Sequence, residues 1–366
     1  MTSNISEELA KKAEAMLEFR RYRDAGLPVP AEVRARHVAA TNDGYATGPD
    51  PGEQVPEFAL PDQHGAIRTL RDLAGPNGLF LVFHRSAEWC QYCRSQLVEL
   101  ELSRCLFEGK GVRIAAISYD APEALSTFAG KHAIGYPLLS DHGSETIRKF
   151  GIFNQNMAPG LRAYGVPHPV EYLVSPDGTV LGKYFVPNYM NRVTGASVAL
   201  REFRAMEEGA PVAQLRDGEL SAEIGFPARR AFSGQELAFF ARFTVEPGWH
   251  VYAPSAPREY TPLAVRFDDT KVQRQNLRLP EAELMELVLL RETAPVYRGT
   301  FEATGTLVLK HPLPEGELVL AGVLEAQQCS DRVCEPPRAL SFELKLELQP
   351  FVISERERRL LEARQS

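Results

Sequence analysis

The stretch Leu79 to Leu100, LFLVFHRSAEWCQYCRSQLVEL, constrains this chain more than any other. It opens with an unbroken apolar run, Leu79 to Phe83, of the kind that forms a strand buried on both faces. A turn follows at Arg85 to Glu88, then Trp89-Cys90-Gln91-Tyr92-Cys93. Beyond it Leu97, Val98 and Leu100 recur near helical spacing. The two cysteines therefore fall at the last loop residue and in the first turn of a helix. Unpaired N–H groups and the helix dipole favour negative charge there, which predicts a lowered pKa and a nucleophilic role for Cys90, the more exposed sulfur. Cys93, one turn deeper, is placed to attack a mixed disulfide on Cys90 and release the partner reduced.

The segment Ala87-Glu88-Trp89-Cys90, with Cys93 following and a buried strand before it, resembles thioredoxin, and Glu88 and Trp89 are expected beside the reacting pair. A structural disulfide or half of a zinc site are the alternatives, but no second C-x-x-C or nearby His pair completes a tetrahedral site. Six residues before Cys90, where thioredoxins carry a buried carboxylic acid as proton relay, this chain has His84. An imidazole titrates near neutrality and could take the Cys93 proton; a hydrogen-bonded core histidine is the other reading.

At 366 residues the chain is long enough for two domains with separate cores. A formal net charge of -7 with no basic block argues against nucleic acid or an anionic membrane as partner. No apolar stretch approaches a transmembrane length, and Met1 to Arg20 is charged with no signal-peptide core, so the expectation is a cytoplasmic protein. Of the five cysteines, Cys90/Cys93 and Cys329/Cys334 form two close pairs, a pattern of switchable dithiols more than of a disulfide framework. Cys105 lies about four turns beyond Cys90, roughly 20 Å away, and is expected as a buried small residue.

In chain order, residues 1–50 read as a helical arm, with a helix over Ser6 to Ala25 stopped by Gly26, Pro28 and Pro30, and a linker over Ala39 to Gly52. Residues 51–206 then alternate strand and helix. Strands are expected near Glu57–Leu60, Val112–Ser118 and Pro137–Leu139, and helices over Pro122–His132 and Ser144–Phe150. A hairpin, Val170–Ser175 and Thr179–Phe185, turns at Pro176-Asp177-Gly178, and Ala196–Met206 is the closing helix. That is the thioredoxin-like order, an α/β domain around a parallel sheet. The resemblance implies a cis-proline before the final hairpin, facing the cysteines. Pro169 fits that place, with Pro167 the competitor. The segments Arg85 to Cys90, Gln96 to Leu100 and Tyr136 to Asp141 are also similar to the peroxiredoxin-like redoxins of AhpC/TSA type. Those need Pro and Thr seven and three residues before the peroxide-reacting cysteine, and this chain has Phe83 and Ala87 there.

Residues 207–214 read as a linker, and 215–350 as strands at near-regular spacing with no helix between, an all-β immunoglobulin-like sandwich. A charged tail, 351–366, ends the chain. Two segments stand out: Pro247-Gly248-Trp249-His250-Val251-Tyr252-Ala253, and Gln327 to Pro337 carrying Cys329 and Cys334. A four-residue loop can set two cysteines opposite each other across a hairpin, where a disulfide closes. Together they resemble the amino-terminal domain of the DsbD family of thiol:disulfide interchange proteins. That resemblance implies electron transfer through Cys329/Cys334 with Tyr252 as a site neighbour, and an envelope compartment. A staple without redox function is the alternative.

These features point to a thiol-disulfide oxidoreductase needing no organic cofactor or metal. Its partners would be protein disulfides or a thioredoxin-type reductant, with an intramolecular relay between Cys90/Cys93 and Cys329/Cys334 as a further expectation. The other readings are a thiol peroxidase using Cys90 and, from another class, a copper- or zinc-binding assembly factor.

Overall fold

The computed structural model describes residues 47–353 except 187 and 288–291, together with residues 11, 14–15, 17–19, 21–22, 27 and 29–42. Two compact units arise, Met1–Arg192 with Phe351–Ser366, and Val193–Pro350.

The first unit begins with helix α1 (Ala31–Asn42), where a helix stop and a linker were expected. Its apolar residues do not gather on one face, so no periodicity announced it. Of the Ser6–Ala25 helix, the described residues are helical and the rest lie outside the described residues. A hairpin of β1 (Ala59–Pro61) and β2 (Ile67–Thr69) leads through the short α2 (Leu70–Leu73) to the main layer. That layer comprises β3 (Gly78–Phe83), α3 (Gln91–Glu108), β4 (Val112–Ser118), α4 (Pro122–His132), β5 (Leu138–Ser140), α5 (Glu145–Lys149), β6 (Val170–Val174) and β7 (Val180–Tyr184). The sheet order is β5-β4-β3-β6-β7. The first three strands are parallel, and β6 and β7 add antiparallel.

Every residue of β3 is buried, as its continuous apolar run requires of a central strand. On one face Leu79, Leu81 and Phe83 pack with Ile117, Phe150 and Tyr172. On the other, Phe80 stacks on Phe107 of α3 at 4.9 Å, which fixes that helix against the sheet. Each such aromatic removed from water contributes about 1.5–3 kcal/mol. The turn at Pro176-Asp177-Gly178 joins β6 to β7, and Gly178 at φ +96 takes the left-handed conformation that only glycine adopts freely. Cys105 is exposed on the outer side of α3, not buried, because its position points away from the Leu97, Leu100 and Phe107 face.

The second unit starts with α6 (Gly195–Phe203), capped by Thr194, whose Oγ1 accepts from Ser197 N at 3.1 Å. This is the helix expected to close the thioredoxin-like domain. It packs instead on strand Gln235–Val245 of its own unit, where Ala238 N donates to Ser197 Oγ at 2.7 Å. A strongly apolar face belongs to whichever sheet it covers, and spacing along the chain does not say which. The strands are β8 (Val212–Asp217), β9 (Leu220–Gly225), β10 (Arg230–Phe232), β11 (Gln235–Val245), β12 (Trp249–Tyr252), β13 (Ala264–Phe267), β14 (Val272–Arg278), β15 (Glu283–Leu287), β16 (Glu292–Tyr297), β17 (Gly299–Leu309), β18 (Gly316–Ala326), β19 (Gln328–Ser330) and β20 (Arg338–Gln349). β8 begins inside the segment expected as linker, because it pairs along its whole length with β9.

The path β14-β17-β11-β9-β8 forms one layer and β10-β20-β18-β13 the other. Their facing residues make a single core in which the Phe267 ring meets Phe239 at 5.1 Å, Phe342 at 5.5 Å and Phe226 at 5.8 Å. This is an all-β sandwich. A third, smaller sheet, β15-β16-β12-β19, carries the second cysteine pair and has its own cluster of Tyr252, Leu287, Ala294, Val296 and Cys329.

Candidate active site

Strand β3 ends at Phe83, and the chain turns through His84 to Trp89 before α3 begins with Cys90 as its N-cap. The turn is held from below by Asp120, at the carboxyl end of β4. Ala87 N donates to its Oδ2 at 2.6 Å, Ser86 Oγ to its Oδ1 at 2.7 Å, and Ser118 Oγ to Oδ2 at 3.0 Å. Burial pushes the Asp120 carboxyl up despite these bonds and the nearby His84. The loop therefore hangs from a buried carboxylate, and Cys90 is set at the helix start.

The Cys90 and Cys93 sulfurs lie 2.8 Å apart, within about an ångström of bonding distance. Cys93 is fully buried and Cys90 is 4% exposed, so Cys90 is the sulfur with access to solvent. Hydrogen-bond donors converge on the other one. Arg85 N donates to Cys93 Sγ at 3.4 Å and Arg192 Nη2 at 3.6 Å. Burial alone would raise Cys93, but the hydrogen bond shared with Cys90, the Arg192 guanidinium and His84 outweigh it and hold Cys93 well below the usual thiol range. Burial and the adjacent Cys93 push Cys90 well above that range. The expectation of a lowered Cys90 is thus corrected. Desolvation at 4% exposure opposes what a helix terminus supplies to Cys90, while Arg192 and His84 favour negative charge on Cys93.

His84 is fully buried, and neither ring nitrogen has a hydrogen-bond partner among the described residues. It favours the thiolate of Cys93 and the carboxylate of Asp120. Arg85 and Arg192 are organised by Tyr189: the Arg85 guanidinium sits 4.4 Å over its ring, and Arg192 Nη1 donates to its carbonyl oxygen. His37 Nε2 is 2.9 Å from the Tyr189 hydroxyl, which ties α1 to the same group. Tyr92 meets Tyr189 edge-on at 6.1 Å, and the returning C-terminal segment places Phe351 5.6 Å from Tyr92 while Val352 N donates to Ser95 Oγ at 3.0 Å.

Glu88 and Trp89 stand at the rim. Trp89 Nε1 donates to Tyr119 Oη at 2.8 Å, the Arg85 guanidinium lies 5.2 Å from its ring, and Arg162 Nη2 donates to Glu88 Oε1 at 2.7 Å. Pro169 is one residue before Val170, which pairs with Phe83, so it lies level with His84 at the end of β3. Its peptide is trans. The cis peptide among the described residues is His311–Pro312, so neither Pro169 nor Pro167 is a cis-proline. The buried loop ahead of β6, with His168 N donating to Ile152 O at 2.7 Å, accommodates the trans form.

In the second unit Cys329 and Cys334 form a disulfide. Cys329 is fully buried on β19 and Cys334 is exposed. Tyr252 Oη lies 3.8 Å from Cys334 Sγ, and the Tyr252 ring stacks on Tyr260 at 4.0 Å. Tyr252 is thus beside the pair. His250 pairs with Cys329 across the β12–β19 ladder.

Residues 51–182 match the AhpC/TSA family, and residues 225–346 match the N-terminal domain of thiol:disulfide interchange protein DsbD. Peroxiredoxin Bcp of Escherichia coli K12 is 31% identical over 129 residues, 35% of this chain and 81% of that protein. The chain belongs to the AhpC/TSA family. It is a thioredoxin-like redox enzyme of thiols and disulfides, carrying a DsbD N-terminal-like domain behind the redoxin domain. Thiol-disulfide oxidoreductase ResA of Bacillus thuringiensis is 27% identical over 131 residues, 36% of this chain and 66% of that protein. Among solved structures, peroxidoxin BcpB of Mycobacterium tuberculosis is 25% identical, with a TM-score of 0.36, and the match covers 43% of this chain and 98% of that one.

Within the AhpC/TSA family this member departs at the two positions flagged in its sequence. Phe83 is a core residue, and Ala87 gives its N–H to Asp120 and has no hydroxyl to offer. Sequence reasoning missed Arg192, Arg85, Asp120 and Tyr189. Asp120 could have been found, since it lies two residues past the end of the parallel strand β4, on the edge where α/β folds place their chemistry. Arg192, nearly a hundred residues from Cys93, has no local signature. Among the described residues no group of three or more His, Cys, Asp or Glu side chains is placed to hold a metal ion.

Proposed function

We propose that Cys90/Cys93 is a two-electron dithiol centre that exchanges with protein disulfides, Cys90 making the intermolecular bond and Cys93 resolving it. The observation that carries this reading is the 2.8 Å sulfur pair at the start of α3, with solvent access confined to Cys90 and the Arg192 guanidinium on Cys93. The pair shares a proton between its two sulfurs. Its passage to Cys93 frees the Cys90 thiolate to attack a partner disulfide, and one partner sulfur leaves as thiolate. The departing partner thiolate takes the Cys93 proton, and the Cys93 thiolate, favoured by Arg192 and His84, attacks Cys90, releasing the second partner sulfur and closing Cys90–Cys93. Two electrons pass to the partner in that sequence.

The electrons are exchanged in turn with Cys329/Cys334 in the same chain. Tethering of two redox pairs raises their effective concentration to about the millimolar range when the connection permits approach. Replacing Cys93 by Ser, and Cys329 or Cys334 singly, tests this step by peptide mapping. An intramolecular disulfide between Cys90 and the second pair supports the relay, and exclusively intermolecular products at high dilution contradict it.

A second reading has specific support in the family relationship and in Arg85 and Arg192 beside the sulfurs: Cys90 attacks a peroxide, becomes a sulfenic acid, and Cys93 condenses with it to the disulfide and water. Peroxide consumption measured beside insulin reduction, on the same reduced protein, separates the two. Faster turnover of peroxide than of disulfide would favour the peroxidase.

A further inference from the structure

We propose that His250 is the proton acceptor for Cys329 when the Cys329/Cys334 dithiol is oxidised, and the donor to Cys329 when the bond is reduced. The inference rests on the reading of that pair as a redox centre. A disulfide that served only as a staple would need no proton-transfer group, and the surroundings of this one contain such a group in an unusual state. His250 is 1% exposed, and neither of its ring nitrogens has a hydrogen-bond partner among the described residues. Leaving a buried polar group unsatisfied costs about 1–3 kcal/mol, so an apolar residue would serve mere packing better.

The position is specific. His250 is the residue directly paired with Cys329 across two antiparallel strands, and opposed residues project to the same face with Cβ atoms about 4.5–5.5 Å apart. Tyr252, two residues on and so on the same face, meets the His250 ring edge-on at 5.3 Å and reaches Cys334. One strand therefore lays a separate polar group against each sulfur. The two are not equivalent. Burial pushes the Tyr252 phenol up, so it stays protonated and serves as a hydrogen-bond donor to Cys334. Burial lowers His250, with Asp331 opposing and Arg298 adding to that effect, so the imidazole is available as a neutral base. The ionisable groups around it are those two, the Cys329 thiol of the reduced pair, and Tyr252, behind which Tyr260 donates to Glu292.

Exposed Cys334, as thiolate, attacks a partner disulfide and expels one partner sulfur. Buried Cys329 gives its proton to His250, and its sulfur attacks Cys334, expelling the second partner sulfur and closing Cys329–Cys334. Two electrons leave the pair, and one proton resides on His250 until solvent or the departing thiolate takes it. In reverse, a partner thiol gives its proton to His250 and, as thiolate, opens the bond at Cys334; Cys329 leaves as thiolate and collects that proton from the imidazolium, and a second partner thiolate attacks the mixed disulfide to release Cys334.

The test uses the full chain with Cys90, Cys93 and Cys105 replaced by Ser, reduced, and oxidised by glutathione disulfide. Acid quenching and mass spectrometry follow the reaction from pH 6 to 9. His250→Phe removes the base and fills the site; His250→Gln keeps a polar side chain without a base. Both are expected to slow closure of Cys329–Cys334 by about a hundredfold at pH 6.5, with the gap narrowing as pH rises and the Cys329 thiol ionises unaided. A rate equal to the parent, or one reduced by the same factor at every pH, overturns the assignment. If the parent pair neither opens with dithiothreitol nor reacts with glutathione disulfide while the chain stays folded, the redox reading of Cys329/Cys334 itself fails, a result distinct from failure of the histidine.

Discussion

Replacing Arg192 by Met tests what favours negative charge on Cys93. Arg192 is 3% exposed, and its Nη2 lies 3.6 Å from the sulfur, with Nη1 bound to the carbonyl oxygens of Tyr189 and Asn191. A hydrogen bond to a charged group contributes roughly 1.5–3 kcal/mol. Since about 1.4 kcal/mol is a factor of ten in a protonation equilibrium, Arg192→Met moves the thiol–thiolate balance toward thiol by about tenfold to a hundredfold. The assay is the ultraviolet absorbance of the thiolate against pH, in a chain whose only cysteines are 90 and 93. The sign follows from the geometry: removing a cation favours the protonated form, so the curve moves to higher pH. Arg192→Lys keeps the charge and loses the planar fork, and its curve is expected between the two. A folded Arg192→Met whose absorbance curve overlays that of its parent would refute the account of the charge.

Three further outcomes follow from the same geometry. His84→Ala slows release of the partner from the Cys90 mixed disulfide more than it slows formation of that bond, read by single-turnover mixing; equal slowing of both steps would assign His84 to the core alone. Asp120→Asn costs about 1–3 kcal/mol, the penalty for a stranded donor in the Ser86–Ala87 turn. Because burial raises the folded-state Asp120 above its unfolded value, the stability it lends is present in acid and lost as pH rises, so the urea-unfolding difference between parent and variant shrinks from pH 4 to pH 7; a constant difference contradicts the shift. Phe267→Ala, in the centre of the sandwich, destabilises the second unit by about 3–5 kcal/mol while leaving the Cys90/Cys93 thiolate titration in place, and loss of both together would show that the two cores melt as one.

Much of the architecture was legible because it is written in local pattern. The run Leu79–Phe83 had to be a central strand, and the Pro176-Asp177-Gly178 turn had to close a hairpin. Cys90 falls at the cap of α3 where helical spacing resumes. What escaped depends on which distant segments meet. Arg192 reaches Cys93 across most of a domain's length of chain, and α6 joins the sandwich because its apolar face matches β11. The short strands β12, β16 and β19 also escaped, since three to six residues carry too little alternation to register, yet they hold His250, Tyr252 and Cys329 together. The charge of Cys90 was misjudged for a related reason. A helix terminus can be seen in a sequence, whereas the burial that opposes it cannot.

The central claim is that Cys90 bonds to the partner and Cys93 releases it. The direct measurement is the mass, after reaction with a disulfide-bonded protein such as insulin and an acid quench, of the Cys93→Ser and Cys90→Ser variants. The account predicts that Cys93→Ser accumulates a mixed disulfide mapped to Cys90 while Cys90→Ser accumulates none. A mixed disulfide on Cys93 in the Cys90→Ser protein, formed as fast as the one on Cys90 in its counterpart, would contradict it.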